Sequence, residues 1–228
     1  MTRKKAIVAA LLAVFCVSAM SAAIASANEG TFVNKGGKAL EKNKFTGKSG
    51  ETKLEGGFGN IVAKSDSAVG KVINTEEGEQ TVTFKETSQS LLGTCTSAGA
   101  KAGEVITLSR THTRRASQPS GEILLLVQVL NTKHEVATEA APFEFKCGST
   151  TVKVFGSFLV KTNSTAEKTL WSFSGVSNGK HENTPTEYEN SEGKKVKDVL
   201  RSNFGLGYEN TDQVGTEEVT FEEAGHFV

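Results

Sequence analysis

Few residues in this 228-residue chain have the types and spacing that chemistry requires. Gly175-Val176-Ser177-Asn178-Gly179 matches the G-x-S-x-G spacing of a hydrolase nucleophile elbow. There a sharp strand-to-helix turn lifts a serine hydroxyl toward an oxyanion hole. The next residues, Lys180-His181-Glu182-Asn183-Thr184-Pro185, cannot start an apolar-faced helix, and a Gly/Asn β-turn explains the same motif. His112, His134, His181 and His226 are far apart and lack H-E-x-x-H or cysteine-pair spacing, so no metal site and no cofactor is implied. Asp66, Asp198 and Asp212 are isolated, which leaves no calcium loop. Glutamates are plentiful enough to set two carboxylates across a glycosidic bond, but that separation is spatial and the sequence nominates no pair. No catalytic residue is assigned, and the residues favour a non-enzymatic reading over an enzymatic one without deciding between them.

The most unusual local composition is Arg110-Thr111-His112-Thr113-Arg114-Arg115. On a strand, Arg110, His112 and Arg114 project from one face and Thr111 and Thr113 from the other. An exposed basic ladder of this kind suits an acidic polysaccharide or an acidic patch on an envelope protein. On a solvated edge strand the same charges discourage edge-to-edge pairing. These three are the candidate binding residues. Trp171 with Tyr188 and Tyr208 could stack on a sugar, although a core role suits a single tryptophan better.

The elements that carry these groups read as strands. Residues 122–130 form the longest apolar run beyond the N-terminus, whereas 142–147 alternates cleanly. That contrast predicts a strand buried on both faces beside a half-buried neighbour. Residues 151–160 continue the pattern. Further strands are expected near 39–46, 53–55, 60–63, 68–74, 81–85, 104–115, 169–173 and 218–222, with Val82 and Phe84 turned inward. Gly56-Gly57, Lys64-Ser65-Asp66, Glu76-Glu77-Gly78, the hairpin turn 117–121 and the turn 163–165 separate them. Residues 87–103 lack a period and read as a loop holding Cys95. Val196, Val199 and Leu200 fit one short helix over 195–200. The fold class is therefore all-β, an antiparallel sandwich or barrel of about ten or more short strands. Nothing marks an internal domain boundary, so 28–228 reads as a single all-β domain, loose over 28–38.

The N-terminus carries an address. Thr2-Arg3-Lys4-Lys5, an apolar stretch over 6–24 and Ala25-Ser26-Ala27 have the order of a cleaved secretory signal helix over 1–27. Cys16 comes directly after the bulky Phe15, which argues against lipidation. The expected product is secreted, with no membrane span left after cleavage. Losing Arg3, Lys4 and Lys5 takes the basic count from 26 to 23 against 26 acids, a net charge of −3. Near-neutral charge argues against capture of nucleic acid. Cys95 and Cys147 remain, and an even count in an exported chain predicts one disulfide, two separate buried thiols being the alternative.

The order of segments carries a resemblance. Cys95-Thr96-Ser97-Ala98-Gly99-Ala100 is followed by Gly103-Glu104-Val105-Ile106-Thr107. Then come Phe143-Glu144-Phe145-Lys146-Cys147, Val152-Lys153-Val154-Phe155-Gly156-Ser157 and Glu217-Glu218-Val219-Thr220-Phe221-Glu222-Glu223. Together these resemble the many-membered secreted β-rich proteins of soil actinobacteria, a family without an assigned activity. The resemblance implies an extracellular bacterial β-protein. Similar proteins tend to carry extra cysteines near the positions of Ala63 and Glu86, and both are absent here.

Two main function classes fit these residues. One is a non-catalytic extracellular binding or structural module. The other is a secreted hydrolase on a β-scaffold. A third reading, a barrel carrying an apolar ligand, predicts an apolar cavity lined by the 123–130 and 152–160 strands.

Overall fold

The computed structural model describes residues 30–116, 123–162, 168–190 and 192–227. The expected signal segment and the expected turns at 117–121 and 163–165 lie outside them. After a short β1 (Phe32–Val33), the chain builds eight long staves, seven of which are divided in two at a waist. The first is β2 (Lys44–Ser49) with β3 (Thr52–Gly56), and the second β4 (Ile61–Ala63) with β5 (Ser65–Val72). The third is β6 (Glu77–Lys85) with β7 (Ser88–Gln89), and the fourth β8 (Gly93–Ser97) with β9 (Val105–Ala116). The fifth is β10 (Ile123–Leu130) with β11 (Phe143–Cys147), and the sixth β12 (Thr150–Phe155) with β13 (Ser157–Thr162). In the seventh, β14 (Lys168–Gly175) is separated by β15 (Glu187–Glu189) and β16 (Lys195–Lys197) from β17 (Leu200–Asn203). The eighth, β18 (Tyr208–Phe227), runs unbroken for 20 residues.

The pairings close twice. Above the waist the antiparallel order is β2-β5-β6-β9-β10-β13-β14-β18 and back to β2. Below it the order is β3-β4-β7-β8-β11-β12-β17-β18 and back to β3. Because the same staves succeed one another in both circuits, this is one eight-stranded up-and-down barrel two tiers tall. Closure leaves neither circuit a free edge. The strand β18 shows the continuity: Ser49 opposes Glu217 in the upper tier, and Lys53 opposes Val214 just below. Between them stands Gly215 at φ +152°, where an added Cβ would lie 2.6 Å from Thr52 Cγ2. Only glycine fits both that backbone and that contact.

Alternation fills the interior. The upper core gathers Phe45, Ile123, Val127, Trp171, Val219 and Phe221, and the lower core Ile61, Phe143, Phe145, Val152, Val154 and Leu200. Barrel closure resolves the choice between sandwich and barrel. Val82 and Phe84 both line the interior, as their alternation predicts. The strand β10 is buried on both faces: Leu124 and Leu126 pack outward with Leu159, Tyr188 and Val196. Its hydrogen-bonded neighbours, however, are β9 and β13, while β11 extends its own stave. Exposed Lys44, Lys48, Lys71, Lys85, Arg201 and Glu218 stud the outer wall. A lipid-facing barrel presents an apolar band instead. Among the described residues no helix is long and apolar enough to cross a membrane.

Local expectations are corrected. Residues 195–200 are not helical: Val196 opposes Tyr188 in a strand pair that covers the outward leucines of β10, so burial overrides the i, i+3, i+4 spacing. Within the stretch expected to be loose, Phe32 and Val33 are buried and pair with Phe227 and His226, while residues 35–38 are exposed. Ser65 and Asp66 belong to β5 rather than to a turn.

The disulfide is present between Cys95 and Cys147, with Cα atoms 3.9 Å apart. Cys95 sits in β8 directly opposite Cys147 of β11, so the bond joins two paired strands and does not tether a loop. The segment 93–97 escapes periodicity because its residues are small and polar apart from Cys95 itself.

Candidate functional site

The barrel interior holds a cavity of about 210 Å³ that spans the waist. Its wall takes Leu125, Val127 and Val129 from β10, Val154 from β12, and Phe158 and Val160 from β13. That volume exceeds the roughly 150 Å³ that holds a benzene-sized molecule and falls below the roughly 300–1,000 Å³ typical of larger ligand pockets. The N-terminal segment packs against the upper end of the barrel. Phe32 donates its N–H to Thr75 O at 2.7 Å and packs its ring against Trp171, Phe221 and Phe227. The Thr113 hydroxyl donates to Gly30 O.

One row of the wall is polar. Register places Asp66 of β5 beside Ser49 of β2, and Ser49 beside Glu217 of β18, with Phe84 and Phe173 at the two flanks. The Ser49 hydroxyl donates to Asp66 Oδ2, while Asp66 Oδ1 and Glu217 Oε1 are buried without a hydrogen-bond partner. Asp66 is only 7% exposed. Burial pushes its carboxyl up, against the opposing pull of Ser49 and Lys85. Burial, reinforced by the Asp66 charge, pushes Glu217 up to about 7. Gly47 makes room for the Glu217 carboxylate, because a Cβ there would fall 2.0 Å from Oε1. Thr52 Oγ1, Thr87 Oγ1 and Ser109 Oγ, all from cavity-lining residues, are likewise buried and unpartnered. Asp212 is also buried with neither oxygen hydrogen-bonded, but it lies one position out of phase with the cavity-lining Gln213.

Sequence reasoning passed over this row, although a signal was there. Glu217 occupies the same alternating phase as Val219 and Phe221, and Asp66 the same phase as Ala68 and Val72. An acid in the apolar phase of a strand is a buried acid.

The predicted ladder lies on the outer wall. Thr111 and Thr113 line the interior, so Arg110, His112 and Arg114 share the opposite face of β9. All three are half-buried rather than exposed. His112 is held by Glu77 Oε1 at 3.3 Å from Nδ1 and by Gln128 Oε1 at 2.9 Å from Nε2. Burial and the Arg114 charge hold its pKa below the ordinary histidine value. Arg114 lies over the Tyr188 ring at 5.6 Å and donates from Nη1 to Thr113 O at 2.8 Å. Arg110 stands between Glu79 and Gln128 on the neighbouring strands.

The remaining candidates resolve into turns and core. The Ser177 hydroxyl accepts the Gly179 N–H at 3.0 Å, and Ser177 bridges Asn183 in extended pairing with no helix after it. Trp171 is fully buried, Tyr188 nearly so, and Tyr208 packs edge-on against Phe155. Among the described residues no three His, Cys, Asp or Glu side chains converge on a point that could hold a metal ion. Comparison of the chain with protein-family models, with curated proteins and with solved structures finds no match.

Proposed function

We propose that this chain is a secreted, non-catalytic binding module that carries a small, mainly apolar ligand inside its barrel. The observation that supports this reading is the interior cavity of about 210 Å³, walled by the apolar faces of β10, β12 and β13. Export is supported by the signal-like N-terminus, by the disulfide, and by the resemblance to secreted β-rich proteins. Arg110, His112 and Arg114 are the second candidate surface, for an acidic polysaccharide or envelope protein. Their engagement with Glu77, Gln128 and Tyr188 would compete with such a partner.

Trp171 supplies the test. It is fully buried and stacks at 6.3 Å on Phe173, which lines the cavity. Titration with toluene and n-hexanol should change its fluorescence saturably, with one site by calorimetry. Val127→Phe and Leu125→Trp, which fill the cavity, should abolish saturation while the barrel stays folded by circular dichroism. Absence of a saturable response from the unaltered protein would overturn the proposal.

A further inference from the structure

We propose that the barrel receives a small cationic amphiphile, an amine whose ammonium is held by Asp66 and Glu217 while its hydrocarbon body lies along the apolar wall. This rests on the cavity-binding reading above and names the chemistry of the ligand.

The polarity of the wall points to a donor. An unpaired carboxylate taken out of water is costly unless something donates to it. Asp66 Oδ1 and Glu217 Oε1 are both buried acceptors without a partner, and both residues line the cavity. The Ser49 hydroxyl, standing between them, is directed to the other Asp66 oxygen. The absence of a side chain at Gly47 is what lets the Glu217 carboxylate lie where it does. An ammonium brings three donors and a charge to such a pair, whereas a hydroxyl brings one donor and no charge.

The sign of the wall excludes the opposite class. Its ionisable residues are Asp66, Glu76, Glu77 and Glu217, and among the described residues no Lys, Arg or His lines it. Glu77 is engaged by His112 and by the Asn74 amide at 3.0 Å. Lys85 acts on Asp66 without lining the cavity. A carboxylate, sulfate or phosphate ligand would meet acids with no counter-charge. The cavity volume of about 210 Å³ limits the ligand to about eight non-hydrogen atoms, from the roughly 150 Å³ that accommodates benzene.

The test compares three ligands that share one body, n-hexylamine, n-hexanol and hexanoate, by calorimetry and Trp171 fluorescence at pH 8. Hexylamine should bind at least about tenfold more tightly than hexanol, and hexanoate more weakly than either. Asp66→Asn and Glu217→Gln should shrink the advantage of the amine over the alcohol to within about twofold. Gly47→Ala, which pushes the Glu217 carboxylate aside, should do the same if either isostere fails to fold. Equal binding of amine and alcohol overturns this inference and leaves the cavity reading standing. Tightest binding of hexanoate, or an amine advantage that persists in the folded variants, also overturns it. Failure of all three to bind overturns the cavity reading and this inference with it.

Discussion

The two tiers of the barrel share eight staves in one order, yet they are filled differently. The lower tier surrounds a buried disulfide with Ile61, Phe143, Phe145, Val152, Val154 and Leu200, and its four hairpins close the far end. Against the upper tier packs the N-terminal segment, and that tier carries Asp66, Ser49 and Glu217 where the tiers meet. The comparison teaches a division of labour on one scaffold. A covalent cross-strand tie and hydrocarbon packing stabilise the lower tier. The lower tier buries a carboxyl too, Asp212, but out of phase with the cavity. The upper tier turns the carboxyls of Asp66 and Glu217 into the cavity, which costs stability and makes sense as recognition.

The largest effect should come from the tie. Replacing both Cys95 and Cys147 by Ala is expected to cost about 4 kcal/mol on the chain-entropy model, measured by urea unfolding. Hydrogen exchange should then show β8, β11 and β12 losing protection before β5, β6 and β9. Equal loss in both tiers would show that they open as one unit and would erase the contrast.

Next in size is Glu217. Its folded pKa of about 7 lies above the ordinary 4.5, so between those values the folded chain holds a proton that the unfolded chain releases. Stability from this group is therefore complete below about pH 4.5 and falls as pH rises toward 7, by on the order of 3 kcal/mol. Glu217→Gln should remove that slope, so that its gain over the unaltered protein grows from pH 5 to pH 8. His112 works in the opposite direction, because its depressed pKa makes the fold lose stability as pH drops through the ordinary histidine range. Subtracting the two unfolding profiles isolates Glu217. A difference that is flat with pH would show that the carboxyl is solvated and the upper tier no more polar inside than the lower.

Gly215→Ala strikes the junction of the tiers. The φ of +152° and the approach to Thr52 predict a loss of about 1–3 kcal/mol, read as a drop in urea midpoint. Exchange should quicken on both sides of the waist. The smallest effect is expected on the outer cover: Arg114→Met removes the cation above Tyr188 at a cost of about 0.5–1 kcal/mol. Faster exchange should be confined to β15 and β16, and a larger, barrel-wide loss would assign Arg114 a deeper role.

Much of the fold was legible one strand at a time. Thr81-Val82-Thr83-Phe84-Lys85 declares its inward face by alternation, and 123–130 declares two buried faces by the lack of it. Cys95 and Cys147 could be paired by count because the N-terminus reads as an export signal and no other cysteine follows it. The strand at 93–97 and the true fate of 195–197 were hidden, since small polar residues leave no period and three apolar residues fit a helix as easily as a covering strand.

By itself, then, the sequence determined the all-β class, most strand positions, the candidate disulfide and the one-sided arrangement of Arg110, His112 and Arg114. These are local quantities, set by composition and by a side-chain period of two. Tertiary structure alone decided that the sheet closes twice around shared staves, that the ladder is half-buried, and that Asp66, Ser49 and Glu217 become neighbours. Glu217 lies more than 150 positions from the other two, and only the register of β18 against β2, and of β2 against β5, brings them together. Register across a closed barrel is a collective outcome of every pairing at once, and no single stretch of chain encodes it.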